Sequence, residues 1–127
     1  MEGYKVKEYG MPVKRYCQFM EISSNPELIT AYRECHSREK AWKEILDGIR
    51  SVGILEMDMH IIDNKVLMIV ETPLEFDWDS AMAKLATLPR QAEWEAYVAV
   101  LQGCDPNATS AEKWRLMERM FCVYPDL

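Results

Sequence analysis

Apolar and polar residues alternate along parts of the chain with a period of two, which predicts β-strands. Residues 13–22 alternate loosely, residues 54–62 alternate closely, and residues 65–71 form a mainly apolar run. The residues between the last two stretches, Asp63 and Asn64, are typical of a tight turn, so these strands are predicted to form a hairpin. A further apolar run at 120–124 predicts the last strand.

Two intervening regions carry apolar residues at the spacing of a helix. The first covers residues 25–53. Its start is marked either by Asn25 as N-cap with Pro26 at the first helical position, or by Ser24 and Glu27 as a capping box. Its apolar stripe is interrupted by polar residues at 37–40, so one long helix and two shorter helices both fit the pattern. The second region covers residues 77–103 and is interrupted at Pro89.

The order strand, helix, strand, strand, helix, strand predicts an α+β protein with the ferredoxin-like βαββαβ arrangement. This is a four-stranded antiparallel sheet with the helices on one face. Residues 1–12 are expected to form an irregular leader and residues 13–127 a single domain. The other sheet face would carry Glu56, Asp58 and His60, and no predicted element covers it. We therefore expect a second copy of the chain to cover this face in a homodimer.

Composition limits the classes of function. The 127 residues include 15 basic and 21 acidic ones, for a net charge of -6, and the basic residues are not clustered as nucleic-acid binding requires. No apolar run approaches the ~20 residues that span a bilayer, and the charged N-terminus does not resemble a signal peptide. The four cysteines are scattered, which is unlike a zinc site or a disulfide framework and is typical of reduced thiols in the cytoplasm.

Tyr32 and His36 are the first candidates for chemistry. They are four residues apart, so on a helix they share one face, where a phenol and an imidazole can bind a polar ligand and transfer a proton. A histidine titrates near neutral pH, yet such a pair is about as often part of an ordinary helix surface. Trp94, flanked by Glu93 and Glu95, has two interpretations as well: a platform for a sugar ring, or core packing beside solvated charges.

Other site signatures are missing from the sequence. There is no P-loop, no dinucleotide-binding glycine motif, no nucleophile elbow and no zinc-protease helix motif. Asp58 and His60 share a strand face but have no third ligand, so a polar patch at a dimer interface is favoured over a metal site. Acid–base chemistry without a cofactor or metal remains, as does simple binding.

Tyr32 and His36 are also the most specific part of a resemblance that covers residues 14–126. Its other parts follow in order along the chain: Trp42-x-Glu44, Gly53 at the second strand, Val70-Glu71 at the end of the third strand, Trp78, the aromatic residues of the second helical region and Phe121. In these features the chain resembles the L-rhamnose mutarotase family, small dimeric α+β barrel proteins of the ferredoxin-like type.

The resemblance implies an isomerase that interconverts the α and β anomers of a 6-deoxy-L-hexose. The family opens and recloses the sugar ring by general acid–base catalysis and uses no cofactor. By resemblance, His36 is the proton donor and Tyr32 contacts the sugar. The proton acceptor is left open between Glu71, Glu95 and a bound water.

Two positions of the chain depart from the family pattern. Met57 stands where the family has a substrate-binding tyrosine, and a Trp-Trp pair is reduced to Trp94 with a glutamate, Glu95 or Glu93, beside it. Both are pocket positions, so the departures affect the identity of the sugar more than the reaction. L-rhamnose remains a candidate, as does L-fucose, the substrate of a second branch of similar chains, and L-fucose is the preferred one.

Two other functions remain compatible with the sequence. Dimeric α+β barrels also host cofactor-independent monooxygenases, although the small and polar candidate site speaks against their substrates. A non-catalytic sugar-binding module would bind the sugar without accelerating the exchange of its anomers.

Overall fold

The computed structural model describes residues 1–125 and contains a single antiparallel sheet in that range. Its strands are β1 (Val13–Glu21), β2 (Glu56–Ile62), β3 (Lys65–Pro73) and β4 (Arg115–Leu116). They lie side by side in the order β2-β3-β1-β4, which confirms the predicted ferredoxin-like α+β fold. Residues 126 and 127, the end of the predicted domain, lie outside the described residues.

The helices cover one face of this sheet. They are α1 (Pro26–Cys35), α2 (Lys43–Ser51), α3 (Trp78–Leu85), α4 (Gln91–Gln102) and α5 (Ser110–Lys113). The region that the sequence left open as one helix or two is therefore two helices, separated at the polar interruption. The first begins where Asn25 was expected to cap it, since the side-chain oxygen of Asn25 accepts hydrogen bonds from the backbone N–H groups of Glu27 and Leu28.

Strand β3 is the centre of the packing. It pairs with β2 through the predicted hairpin and with β1 on its other side. Val66, Met68 and Val70 alternate along β3, are buried, and face the helices. Helices α1 and α4 pack against each other over this face, so side chains of both helices and of the sheet meet in one layer.

The predicted last strand at 120–124 is wrong. The fourth strand, which pairs with β1 on the side away from β3, is the two-residue segment Arg115–Leu116, opposite Phe19 and Gln18. The apolar run that suggested the strand is largely exposed, with Phe121 at 76% and Tyr124 at 77% of full exposure. An apolar pattern indicates residues that favour burial. It does not show which segment reaches the edge of the sheet, because that depends on the path of the chain after α5.

The prediction that no part of the chain covers the outer sheet face was also wrong in part. Residues 1–12 contain no helix or strand, but they run along this face. Tyr4 stacks on His60 with 5.2 Å between ring centroids, and its hydroxyl lies 2.9 Å from Nε2 of that histidine. The Tyr9 hydroxyl donates a hydrogen bond to Glu71 at 3.2 Å. The leader therefore shields the β2 side of the face and leaves Phe19 and its neighbours on β1 partly exposed.

Candidate active site

A cavity of about 550 Å³ lies between the helix-covered face of the sheet and the helices. Its wall includes five of the residues that the sequence suggested for a site, namely Tyr32, His36, Met57, Trp94 and Glu95. It also includes all four tryptophans of the chain, namely Trp42, Trp78, Trp94 and Trp114. Helix spacing brings Tyr32 and His36 to the same wall, while the fold brings the others from elements distant in the chain.

His36 follows the last residue of α1 and is held by the backbone of that helix. Its Nδ1 lies 2.7 Å from the carbonyl oxygen of Tyr32, an acceptor, so Nδ1 carries the proton and donates it. The other ring nitrogen, Nε2, then bears a lone pair in the neutral imidazole. Burial lowers the pKa of His36, and the bond to the Tyr32 carbonyl opposes that effect. The imidazole is thus a neutral base at and above neutral pH.

Tyr32 is buried, with 4% of its surface exposed, so its hydroxyl does not lie at the protein surface. That hydroxyl accepts a hydrogen bond from Nε2 of Gln102 at 3.4 Å. Burial raises the pKa of Tyr32 to about 12, so the phenol keeps its proton throughout the neutral range. Its O–H therefore remains a donor. The ring centroids of Tyr32 and His36 are 4.7 Å apart.

Glu95 is the centre of a polar network on the α4 side of the cavity. One carboxylate oxygen accepts hydrogen bonds from Gln91 at 3.0 Å and from Ser110 at 3.2 Å. The other oxygen accepts one from Lys113 at 3.3 Å. A carboxylate offers about four acceptor positions, so one position remains for a further donor.

The same lysine connects this carboxylate to Tyr32. Nζ of Lys113 also donates to the side-chain oxygen of Gln102 at 3.0 Å, and Gln102 in turn donates to the Tyr32 hydroxyl. The lysine side chain is only 3% exposed, so the network lies away from solvent on this side. Glu95, Lys113, Gln102 and Tyr32 form one continuous chain of hydrogen bonds, which fixes the orientation of both groups that face the cavity.

Aromatic rings form the wall next to His36. Trp94 meets the imidazole edge to face, with 5.4 Å between centroids, and Trp42 packs on Trp94 at 5.1 Å. The guanidinium of Arg90 lies 4.0 Å from the Trp42 ring centroid and covers it from outside. Tyr97, three residues after Trp94 on α4, is 44% exposed and stacks on Trp42 outside the cavity wall.

The sheet supplies an apolar floor made largely of methionine. Met57 and Met59 from β2 and Met68 from β3 lie on the cavity wall. Glu71, a residue that the sequence left open as proton acceptor, lies on the outer face instead. There it binds the Arg15 guanidinium at 2.7 Å, so it is not part of this cavity.

Sequence reasoning missed three glutamines of the cavity wall, Gln18, Gln91 and Gln102, and the lysine behind the wall, Lys113, that binds Glu95 and Gln102. Gln18 stands between Tyr16 and Met20 in the alternation of β1, and a glutamine at an inward position of a strand was a readable signal. Gln91 and Gln102 share a face of α4 with Glu95 at helical spacing, which was readable as well. Lys113 carried no signal, because its burial follows from the position of α5 against α4. These four residues were not among the candidates.

Other kinds of site find no support in the described part of the chain. Among residues 1–125, no three or more His, Cys, Asp or Glu side chains come together as a metal site would need. In the same range, no helix has the length and apolar character to cross a membrane. The cysteines at 17, 35, 104 and 122 are free thiols.

Comparison with known proteins finds relatives that are similar in sequence and a solved structure with a similar fold. L-fucose mutarotase from Xanthomonas campestris pv. campestris is 26% identical over 113 residues, which cover 89% of this chain and 90% of that protein. A UPF0734 protein from Dictyostelium discoideum is 29% identical over 112 residues, which cover 85% of this chain and 88% of that protein. The crystal structure of an L-rhamnose mutarotase from Formosa agariphila has a similar fold, with a TM-score of 0.64 and 16% identity over 87% of this chain and 99% of its own.

The model of one protein family covers most of the sequence. The description of that family is L-rhamnose mutarotase, and its model matches residues 15–123. The match includes the elements that build the cavity, from β1 to β4. The monooxygenase interpretation gains no support from any of these relatives. The chain therefore belongs to the L-rhamnose mutarotase family, whose members are isomerases that interconvert carbohydrate anomers.

Proposed function

We propose that the protein interconverts the α and β anomers of a 6-deoxy-L-hexose, L-fucose or L-rhamnose, without a cofactor. One observation carries this proposal: an imidazole with a free Nε2, a protonated phenol, a carboxylate and indole rings share one cavity wall. The volume of about 550 Å³ is in the range of small-molecule sites and accommodates a hexose with water. The methionine floor suits the methyl group that a 6-deoxy sugar carries in place of a hydroxymethyl group.

In this mechanism His36 moves the proton of the anomeric hydroxyl. During ring opening, Nε2 of the neutral imidazole accepts the proton from O1 while the C1–O5 bond breaks, and Tyr32 donates its proton to O5. Rotation about C1–C2 then turns the other face of the aldehyde to O5. During ring closure the imidazolium returns its proton to O1 and the phenolate takes back the proton of O5. His36 is thus the proton donor of the closing step, and both groups end in their starting state.

The remaining wall residues bind and orient the sugar. An indole such as Trp94 presents an apolar ring to the C–H groups of a pyranose. Glu95 has one acceptor position left, which fits a sugar hydroxyl. Met57 has no hydroxyl to offer, and its thioether contacts the apolar part of the substrate. Holding O1 and O5 near His36 and Tyr32 supplies much of the rate gain by proximity.

Saturation-transfer NMR on L-fucose and on L-rhamnose tests the reaction directly. The wild-type protein is expected to accelerate α/β exchange over buffer, and His36→Ala to lower that catalysed rate at least about a hundredfold. Binding of sugar, followed by fluorescence of the four cavity tryptophans, should persist in the variant. Exchange of neither sugar above the buffer rate would contradict the proposal, and affinity without exchange would identify a sugar-binding module instead.

The proposed active form is a homodimer joined through the outer sheet face. Phe19, Leu67 and Ile69 point to this face and remain partly exposed beside the leader. The apolar residues at 120–124 are exposed too, with Met120 at 95%. Both surfaces expose apolar side chains, which a second copy of the chain would bury.

We also propose a cytoplasmic location. The support is the chemistry of the cysteines, none of which forms a disulfide in the structure. Cell fractionation with an antibody to the protein would test it, and recovery from an oxidising, secreted fraction would contradict it.

A further inference from the structure

Gln18 is a buried glutamine whose side chain has no hydrogen-bond partner at its oxygen. It lies on β1 opposite Met68 of β3, faces the helices, and belongs to the cavity wall. The residue is 8% exposed, and no group in the described part of the chain donates to its Oε1. The neighbours on the same face, Tyr16 and Met20, belong to the apolar clusters.

Gln91, at the start of α4, repeats this situation on another wall of the same cavity. It is 7% exposed, and its Oε1 also lacks a partner among the described residues. Its orientation is unambiguous, because Nε2 donates to the Glu95 carboxylate at 3.0 Å and a flipped amide would place two oxygens against each other. The group left open is therefore the acceptor.

Buried polar groups are normally paired, so two open acceptors on one cavity need an explanation. The third buried glutamine on this wall, Gln102, is paired at both ends of its amide, with Tyr32 and Lys113. Folding alone would favour an apolar residue at position 18, where the side-chain amide makes no hydrogen bond with any of residues 1–125. Buried polar side chains that lack a hydrogen-bond partner concentrate at functional sites.

We propose that Gln18 and Gln91 determine which sugar the site accepts, each by accepting a hydrogen bond from one hydroxyl of the substrate. An amide oxygen needs a donor, and among the groups of a neutral sugar only hydroxyls donate. L-fucose and L-rhamnose differ in the orientation of the hydroxyls at C2 and C4, so the wrong epimer leaves an acceptor buried and unpaired. Discrimination by such a loss is stronger than discrimination by shape alone. The inference rests on the proposed mutarotase function.

Replacement of Gln18 by methionine separates binding from folding. In Gln18→Met the unpaired acceptor is gone and the new side chain matches its methionine neighbours, so the melting temperature should rise. The lost hydrogen bond should weaken binding of the preferred sugar about tenfold, and the ratio of kcat/KM for L-fucose and L-rhamnose should move toward one. The matched control is Gln102→Met, which removes a paired glutamine and should lower the melting temperature.

A second variant, Gln91→Met, tests the other acceptor with the same ratio of kcat/KM. A merely structural glutamine would change the rates for both sugars by the same factor and leave the ratio unchanged. An unchanged ratio in both variants would overturn the inference. The proposed function would still stand, provided that the wild-type protein accelerates anomer exchange. If the wild-type protein neither binds nor exchanges either sugar, the proposed function fails first and this inference falls with it.

Discussion

His36 is the residue on which the proposed chemistry depends most, and its environment sets the form in which it works. Burial disfavours the charged imidazolium and lowers the pKa of His36. The hydrogen bond from Nδ1 to the Tyr32 carbonyl fixes the tautomer, so Nε2 is the nitrogen that would exchange a proton with the sugar in the proposed mechanism. A neutral histidine can act as a base without first losing a proton to solvent.

The pH dependence of the exchange rate follows from this form of His36. The catalysed rate should rise with pH on the acid side of the ordinary histidine pKa of 6.5, because the lowered pKa places the loss of the proton there. It should then stay level through the neutral and mildly alkaline range, because the pKa of Tyr32 is raised to about 12. Saturation transfer at a series of pH values, with the buffer rate subtracted, measures the profile. A rate that falls on passing upward through neutral pH would show that the imidazolium is the required form.

Helix α5 has four residues, yet it controls how α4 presents its polar face. Its last residue, Lys113, reaches Glu95 and Gln102 from a site with 3% side-chain exposure. Exposed ion pairs elsewhere on the helices, such as Lys43 with Asp47, are held in water and contribute little. The two lysines therefore allow a direct comparison of a buried and an exposed pair.

Replacement of Lys113 by methionine should destabilise the fold by about 1–3 kcal/mol, because the buried oxygen of Gln102 and the partly buried carboxylate of Glu95 lose their donor. The exchange rate should fall as well, since Glu95 and the Tyr32 hydroxyl lose the network that orients them. Chemical denaturation and saturation transfer measure the two effects. Lys43→Met is the control and should change neither quantity appreciably; equal behaviour of the two variants would contradict a special role for Lys113.

The arrangement of the elements could be predicted from the sequence because each long element has a clear local signal. Alternation marked β1 and β2, and the Asp63-Asn64 pair marked the hairpin. The polar residues between α1 and α2 left one long helix and two shorter helices equally open. The last strand was misplaced because the most apolar run near the end is exposed, while Arg115–Leu116 pairs with β1 through backbone groups that any sequence carries.

The candidate site was predictable to the extent that it rests on neighbours in sequence or on the family resemblance. Tyr32 and His36 share a helix face, and Trp94 and Glu95 follow from the resemblance. The contacts of Lys113 with α4 and the open acceptors of the glutamines depend on which side chains meet after folding. No periodicity within one element contains that information.

The whole molecule presents two different sheet faces. The helix-covered face holds the cavity, and the outer face carries the leader on one side and partly exposed apolar residues on the other. Arg15 and Glu71 form an ion pair on this outer face, which would give the proposed dimer interface a polar margin. Dimerisation through this face would leave the cavity on the far side of the sheet in each copy.

A charge placed in the centre of the outer face should therefore produce a monomer. Ile69→Lys is expected to halve the mass measured by light scattering at micromolar concentration, because an unpaired charge buried at an interface is costly. The matched control is Val100→Lys on α4, where the native valine is 59% exposed on the helix side. A wild-type protein that is already monomeric, or an Ile69→Lys variant that stays dimeric, would contradict the proposed interface.

The methionine floor of the cavity has a consequence for the chemical lifetime of the protein. Met57, Met59 and Met68 bring three thioethers to this floor, where their flexible side chains can adapt to the shape of a bound sugar. Peroxide converts a thioether to a sulfoxide, which is polar and larger, so oxidative damage would accumulate at the floor on which the substrate rests. Under oxidative stress the protein would therefore lose its activity before it unfolds, because the damage begins in the cavity. Bound sugar would slow this loss.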